Sequence, residues 1–223
     1  MRKICVFICA LLSVFCLFLI SCKPVNPLYD RVSELRCNIF EGACDDFSLT
    51  AHYGFKETPF NNDGVPCERV NLLTFKLIGK ELSSATYTLS FENGGQKYSC
   101  DFKLNPVTHA LNASVEIDEF NQTSFTVNII CGADHKSVNM TSILPQNTID
   151  YKTALDYLYN DQKDLISAYT DQNGSFNAEI YARVIVRDNK PYWYIGIASG
   201  NGNLKALLVD GFSGKLLAIR EVF

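Results

Sequence analysis

From Leu35 to Ile143 apolar and polar residues alternate with period two, broken at short intervals by turn residues, and this limits the stretch to β-strands. Neighbouring side chains of a strand point to opposite faces, so each such run has one face to bury and one to leave in water. Phe47, Leu49, Ala51 and Tyr53 share a face, and Asp46, Ser48, Thr50 and His52 share the other. Tyr87, Leu89 and Phe91 lead into the turn Asn93-Gly94-Gly95, and Tyr98, Cys100, Phe102 and Leu104 lead out of it, which predicts a hairpin. The alternation returns at Leu111, Ala113, Val115 and Ile117, and again at Phe125, Val127, Ile129 and Cys131. Seven or eight strands with no helix-period segment among them predict a β-sandwich over residues 35–147, immunoglobulin-like or fibronectin-like in topology. The Trp and Cys spacing of a true antibody domain is lacking.

The pattern changes at Pro145. Thr148 or Asp150 can cap a helix in which Ala154, Leu155, Leu158, Leu165, Ile166 and Tyr169 recur at three- and four-residue steps, with Asp156, Asp161 and Lys163 opposite. Asp171-Gln172-Asn173-Gly174 ends it. Four strands follow, separated by turns at 188–191, 199–203 and 210–214. The expected layout over 148–223 is a small α+β domain, one helix on an antiparallel sheet, burying Ile180, Ala182, Val184 and Val186.

Lys190-Pro191-Tyr192-Trp193-Tyr194-Ile195, a Gly-Asn-Gly turn, and Leu208-Val209-Asp210-Gly211-Phe212-Ser213-Gly214-Lys215-Leu216-Leu217 together resemble a PepSY-like repeat. The resemblance covers about residues 150–223. It implies a helix before a small sheet, and a part in binding or restraining a peptidase. It carries over only a structural role for Asp210 and Gly214, in a turn where Asp bonds its own backbone and Gly accepts positive φ.

At the other end, Met1-Arg2-Lys3 supply positive charge, Ile4 to Ile20 are almost wholly apolar, and Leu19-Ile20-Ser21-Cys22 resembles a bacterial lipobox. The resemblance implies a lipoprotein signal peptide over 1–22, cleavage before Cys22, and lipidation of that thiol. Several acyl chains would anchor the protein outside the cell, each buried methylene contributing about 0.8 kcal/mol. Pro24 and Pro27 predict an extended tether over 23–34.

The whole chain carries a formal charge of −4; loss of Arg2 and Lys3 with the first 22 residues, and of no acid, makes it −6. An acidic chain lacks the basic footprint that a phosphate backbone requires, so nucleic acid is not an expected partner. Cys37, Cys44, Cys67, Cys100 and Cys131 remain in the mature chain. Cys100 and Cys131 share the inward parity of their strands and either join as a disulfide across the sandwich or stay as buried thiols. Cys37 and Cys44 flank an expected turn at Glu41-Gly42-Ala43 and can close a short loop. Neither they nor Cys131 with His135 has the spacing of a zinc pair. His52, His109 and His135 read as surface residues.

No motif pairs a nucleophile with a base, so no catalytic residue, metal or cofactor is assigned. Tyr181, Tyr192, Trp193 and Tyr194 form the candidate binding surface, an aromatic strip suited to peptide or glycan, although alternation sends half of the strip toward the core. The resulting expectation is a membrane-anchored, non-enzymatic binding or regulatory module with a protein, peptide or glycan ligand. The competing readings are a surface hydrolase and a polysaccharide-binding adhesin.

Overall fold

The structure is a computed structural model, and it describes residues 25–59, 65–79, 86–200 and 202–222. Cys22 and the rest of the expected signal lie outside the described residues. The fold is mostly antiparallel β-sheet with two short helices.

Nine strands form the first part: β1 (Val32–Ala43), β2 (Phe47–Thr58), β3 (Glu68–Gly79), β4 (Tyr87–Asn93), β5 (Gln96–Asp101), β6 (Lys103–Leu104), β7 (Leu111–Glu116), β8 (Ser124–Cys131) and β9 (Asp134–Ser142). Hydrogen bonding runs β7-β3-β2-β1-β9-β8-β4-β5. After β5 the chain bends at Phe102, whose N–H donates to the Tyr87 carbonyl, and β6 then pairs with β7 through Lys103↔Asn112 and Leu104↔Leu111. The path therefore returns to its start, and the sheet is barrel-like. This differs from two separate sheets packed face to face, and closure has a physical basis: it leaves fewer strand edges with unpaired N–H and C=O groups.

The interior is the face the alternation assigned. Phe40, Leu49, Ala51, Leu73, Phe75, Leu77, Leu89, Phe91 and Val127 are all under 4% exposed. Phe40, Phe120 and Phe125 meet edge to face, with centroids 4.9 to 5.5 Å apart, the arrangement that places a positive ring edge on a negative ring face. Each such side chain, fully buried, contributes about 2 to 3 kcal/mol before entropy is counted.

The second part has helices α1 (Tyr151–Asp161) and α2 (Lys163–Ser167), then β10 (Glu179–Arg187), β11 (Lys190–Ala198), β12 (Leu204–Asp210) and β13 (Leu216–Val222) in antiparallel order. The Asp150 carboxylate accepts from the Thr153 N–H at 2.7 Å and caps α1. Ala154, Leu155, Leu158 and Ile166 face the sheet and meet Ile180, Ala182, Val184, Trp193, Ile195, Leu207 and Val209 in a second core. Asp210 and Gly214 act as expected of the turn: the Asp210 carboxylate accepts from the N–H of Phe212 and Ser213, and Gly214 has φ 73°.

The two parts share a strand. The first half of β1 pairs in parallel with β10, Leu35 opposite Ala182 and Arg36 opposite Arg183, while its second half pairs with β9. Between them the register with β2 slips at Cys37, a bulge that turns β1 from one neighbour to the other. Gly54, opposite Arg36, is pressed against this kink, since a Cβ there would collide with the backbone of Leu35. Leu28, just before the barrel, and Val32, Leu35 and Ile39, on its first strand, belong to the second core. Much of the tether expected over 23–34 is thus folded: Leu28 and Val32 are wholly buried, a 3-10 turn spans Tyr29–Arg31, and Asn26 donates to Asp156 at 2.9 Å.

A candidate binding face opposite the helices

The parallel junction lines up the outward side chains of both parts. On β10 and β11, alternation turns Trp193 to the helix side and Tyr192 and Tyr194 to the open side, with Tyr181 and Arg183. Register then continues the open face across the sheet: Arg183 stands beside Arg36, Arg36 beside Gly54, His52 beside Thr74, Thr74 beside Ser114, and Lys76 beside Asn112, which pairs with Lys103. A groove of about 760 Å³ lies along the barrel end of this face and includes Arg36, His52, Thr74, Lys76 and Lys103. A smaller hollow over Gly54, reaching Glu34 and Lys56, joins it at Arg36 and His52.

The tyrosine end is a platform. The Arg183 guanidinium sits 4.5 Å from the centre of the Tyr194 ring. The ring of Tyr181 passes over Gly196, where a side chain would touch it. Its hydroxyl donates to the Glu179 carboxylate at 3.1 Å, and burial followed by that carboxylate pushes the phenol up to about 12. All three tyrosines are partly buried, with Arg183 exposed among them.

Trp193 does not belong to this surface. It is 2% exposed, and its indole N–H donates to the Ile149 carbonyl at 2.9 Å. The expected strip is therefore three tyrosines and an arginine.

At the groove end His52 is the unusual group. Burial comes first, and then Arg36, Arg183 and Lys76, in lowering its imidazole to about 4. It is neutral at physiological pH and surrounded by positive charge. Arg36 is held at 2.8 Å by Glu34. Among the described residues no carboxylate lies within ion-pair distance of Lys76 or Lys103. Sequence reading placed His52 on an outward face but missed its company, because Arg36 and Arg183 are brought beside it by a pairing of strands nearly 150 residues apart.

No family model, curated protein or solved structure matches this chain. The site therefore rests on its own geometry.

Among the described residues, Cys37, Cys44, Cys67, Cys100 and Cys131 form no disulfide. Cys100 on β5 pairs with Leu89, and Cys131 on β8 with Tyr87, so β4 stands between them. Two strand spacings put them about 10 Å apart, beyond the ~7 Å between Cα atoms that a disulfide can span. Neither is in a disulfide, and both pack against the barrel core. Cys100 borders the groove, and burial, with Asp101 adding, pushes its thiol up to about 11. Cys37 lies midway along β1 and Cys44 just past its end, roughly 20 Å apart, and the expected turn at Glu41-Gly42-Ala43 is part of the strand, so no short loop is left to close. Burial raises Cys37 to about 11. Among the described residues no three His, Cys, Asp or Glu gather as a metal-binding group.

Proposed function

We propose that this chain is a lipid-anchored surface protein whose role is to bind, not to transform, a ligand on the face opposite its helices. The observation that carries the reading is the continuous open face from Tyr192 and Tyr194 through Arg183 and Arg36 to His52 and Lys76, with aromatic rings at one end and cations at the other. Aromatic faces and fixed cations on a rigid sheet recognise ligands without needing a nucleophile. The anchor is proposed from Leu19-Ile20-Ser21-Cys22, with acylation of Cys22 placing the folded part outside the cell. A PepSY-like reading of 148–223 draws support from the order of helix and meander and from the Asp210–Gly214 turn. The immunoglobulin-like reading of the first part draws support from its alternating antiparallel strands alone.

Two arms test this. Cys22→Ala is expected to leave unprocessed or released protein in place of a mature, membrane-bound form; unchanged maturation and membrane partition would remove the anchor. Arrays of peptides and glycans probed with the soluble form are expected to give ligands whose binding falls in Tyr194→Ala and Arg183→Ala. Turnover of any of them, abolished by one side-chain change, would contradict a purely binding role.

A further inference from the structure

The barrel is joined at one corner and left open beyond it. Strand β6 pairs with β7 at Lys103↔Asn112 and Leu104↔Leu111, but β5, which leads into β6, pairs only with β4, and β7 past Asn112 pairs only with β3. Ladder bonds alternate along a strand, so the bonds that are made identify the groups that are left. The Phe102 N–H donates to the Tyr87 carbonyl; Tyr98 and Cys100 therefore face β4, and the backbone groups of Lys97, Ser99 and Asp101 turn away from it. The Ile117 N–H donates to the Asn71 carbonyl; Ala113 and Val115 therefore face β3, and the backbone groups of Ser114 and Glu116 turn away. Lys103 meets Asn112 on this same side of β7, so the two open rows look into one gap. Among the described residues no strand lies in it.

The groove of about 760 Å³ follows this gap. Cys100, Asp101 and Lys103 border it from one edge, Asn112, Ala113 and Ser114 from the other, and the core residue Phe75, 2% exposed, also lines it. Cys100, Ala113 and Phe75 are side chains of the barrel interior, reached through the missing pairing. On the outer face Lys76, Lys103 and Lys97, the last beside Glu92, stand against Glu116 and Asp101, whose carboxylate accepts from Thr88 at 2.7 Å.

We propose that a single extended peptide, alternating apolar and acidic residues, adds as a strand in this gap. It pairs with β5 through Lys97, Ser99 and Asp101, lays its apolar side chains toward Cys100, Ala113 and Phe75, and sets its carboxylates among Lys76, Lys97 and Lys103. The proposal deepens the binding reading given above and rests on it. The open edges commit the gap to a strand, because unpaired N–H and C=O groups at every second residue are a template for another backbone, and main-chain bonds supply the affinity in strand addition. That row of donors and acceptors is what a peptide presents and a saccharide does not. A second copy of the chain is blocked: a strand that belongs to another sheet brings its neighbour one spacing further on, about 4.8 Å, where β7 already stands.

Titration calorimetry on the protein, with amide exchange followed by NMR, tests this. The probes are octapeptides alternating glutamate with Val, Thr or Leu, the same peptides N-methylated at every second residue, their lysine counterparts, and a short oligogalacturonate. A glutamate peptide is expected to bind, at least about tenfold more tightly than its N-methylated form and about fivefold more tightly than its lysine counterpart, while the Ser99 and Asp101 amides become protected. Ser99→Pro keeps every ladder bond to β4 and gives up one side-chain bond to the Leu89 carbonyl; it is expected to weaken binding at least about tenfold. A thermal melt verifies its fold, and Lys76→Gln/Lys103→Gln, on exposed side chains, gives an independent loss of about five- to tenfold. Equal binding of the N-methylated peptides, unprotected Ser99 and Asp101 amides, or binding of oligogalacturonate alone overturns the proposal. Absence of binding to every probe overturns it as well, and array ligands sensitive to Tyr194→Ala then decide the broader reading separately.

Discussion

At the scale of single residues, His52 couples the site to stability. Its folded-state pKa of about 4 lies below the usual 6.5, so the unfolded chain binds the proton more readily. Stability is therefore complete above about pH 6.5 and is lost progressively as pH falls toward 4, by an amount on the order of 1 to 3 kcal/mol. Urea denaturation of the wild type and His52→Gln over that range is expected to show a steeper acid decline in the wild type; parallel profiles would contradict the burial and cationic surroundings that lower the imidazole. Residue roles were unevenly legible in the sequence. Asp210 and Gly214 could be read because Asx turns are local chemistry. Trp193 could not be separated from its tyrosine neighbours, because alternation gives two faces and does not say which one a helix will cover.

At the scale of elements, the period-two runs located the strands well. The Phe47–Tyr53 face and the β7 and β8 faces point inward as their spacing requires, and so does the hairpin at Gly94-Gly95 as far as Phe102; Leu104, assigned to the same face, is 61% exposed, because the chain bends at Phe102 to join β7. The single expected helix is two, divided at Gln162, whose φ of −118° and ψ of 47° leave the helical region. Its start was legible as Thr148 or Asp150, and the structure selects Asp150, with the carboxylate on the Thr153 N–H. Asp150→Ala is expected to cost about 1 kcal/mol in chemical denaturation, since it frees one N–H at the helix start. No change in stability would mean that α1 owes its start to packing alone. Trp193→Ala belongs to the same layer and is expected to cost about 3 to 5 kcal/mol, by emptying the space under α1 and leaving the Ile149 carbonyl without its donor. A loss under 1 kcal/mol would contradict its place in the core.

At the scale of the whole molecule, the organising feature is β1. It closes the barrel with β9 and extends the sheet with β10, so one strand lines two cores. Nothing local in Val32–Ala43 announces this, since parallel pairing across so long a separation leaves no periodic trace; for the same reason the composite face was invisible in the sequence although each of its outward residues was not. The division at 147/148 is thereby given a specific expectation. A fragment of 148–223 lacks Leu28, Val32, Leu35 and Ile39 from its core and should fail to fold alone, as followed by circular dichroism and amide dispersion, whereas 25–223 should unfold in one transition. The account depends on the β1–β10 junction, because without it Arg36 and His52 are not neighbours of Arg183. Nuclear Overhauser contacts in solution measure that junction directly. Cross-strand contacts linking Leu35 with Ala182 and Arg36 with Arg183 in parallel register, with slowly exchanging β10 amides, are the predicted result; β10 exchanging as a free sheet edge, without those contacts, would contradict it.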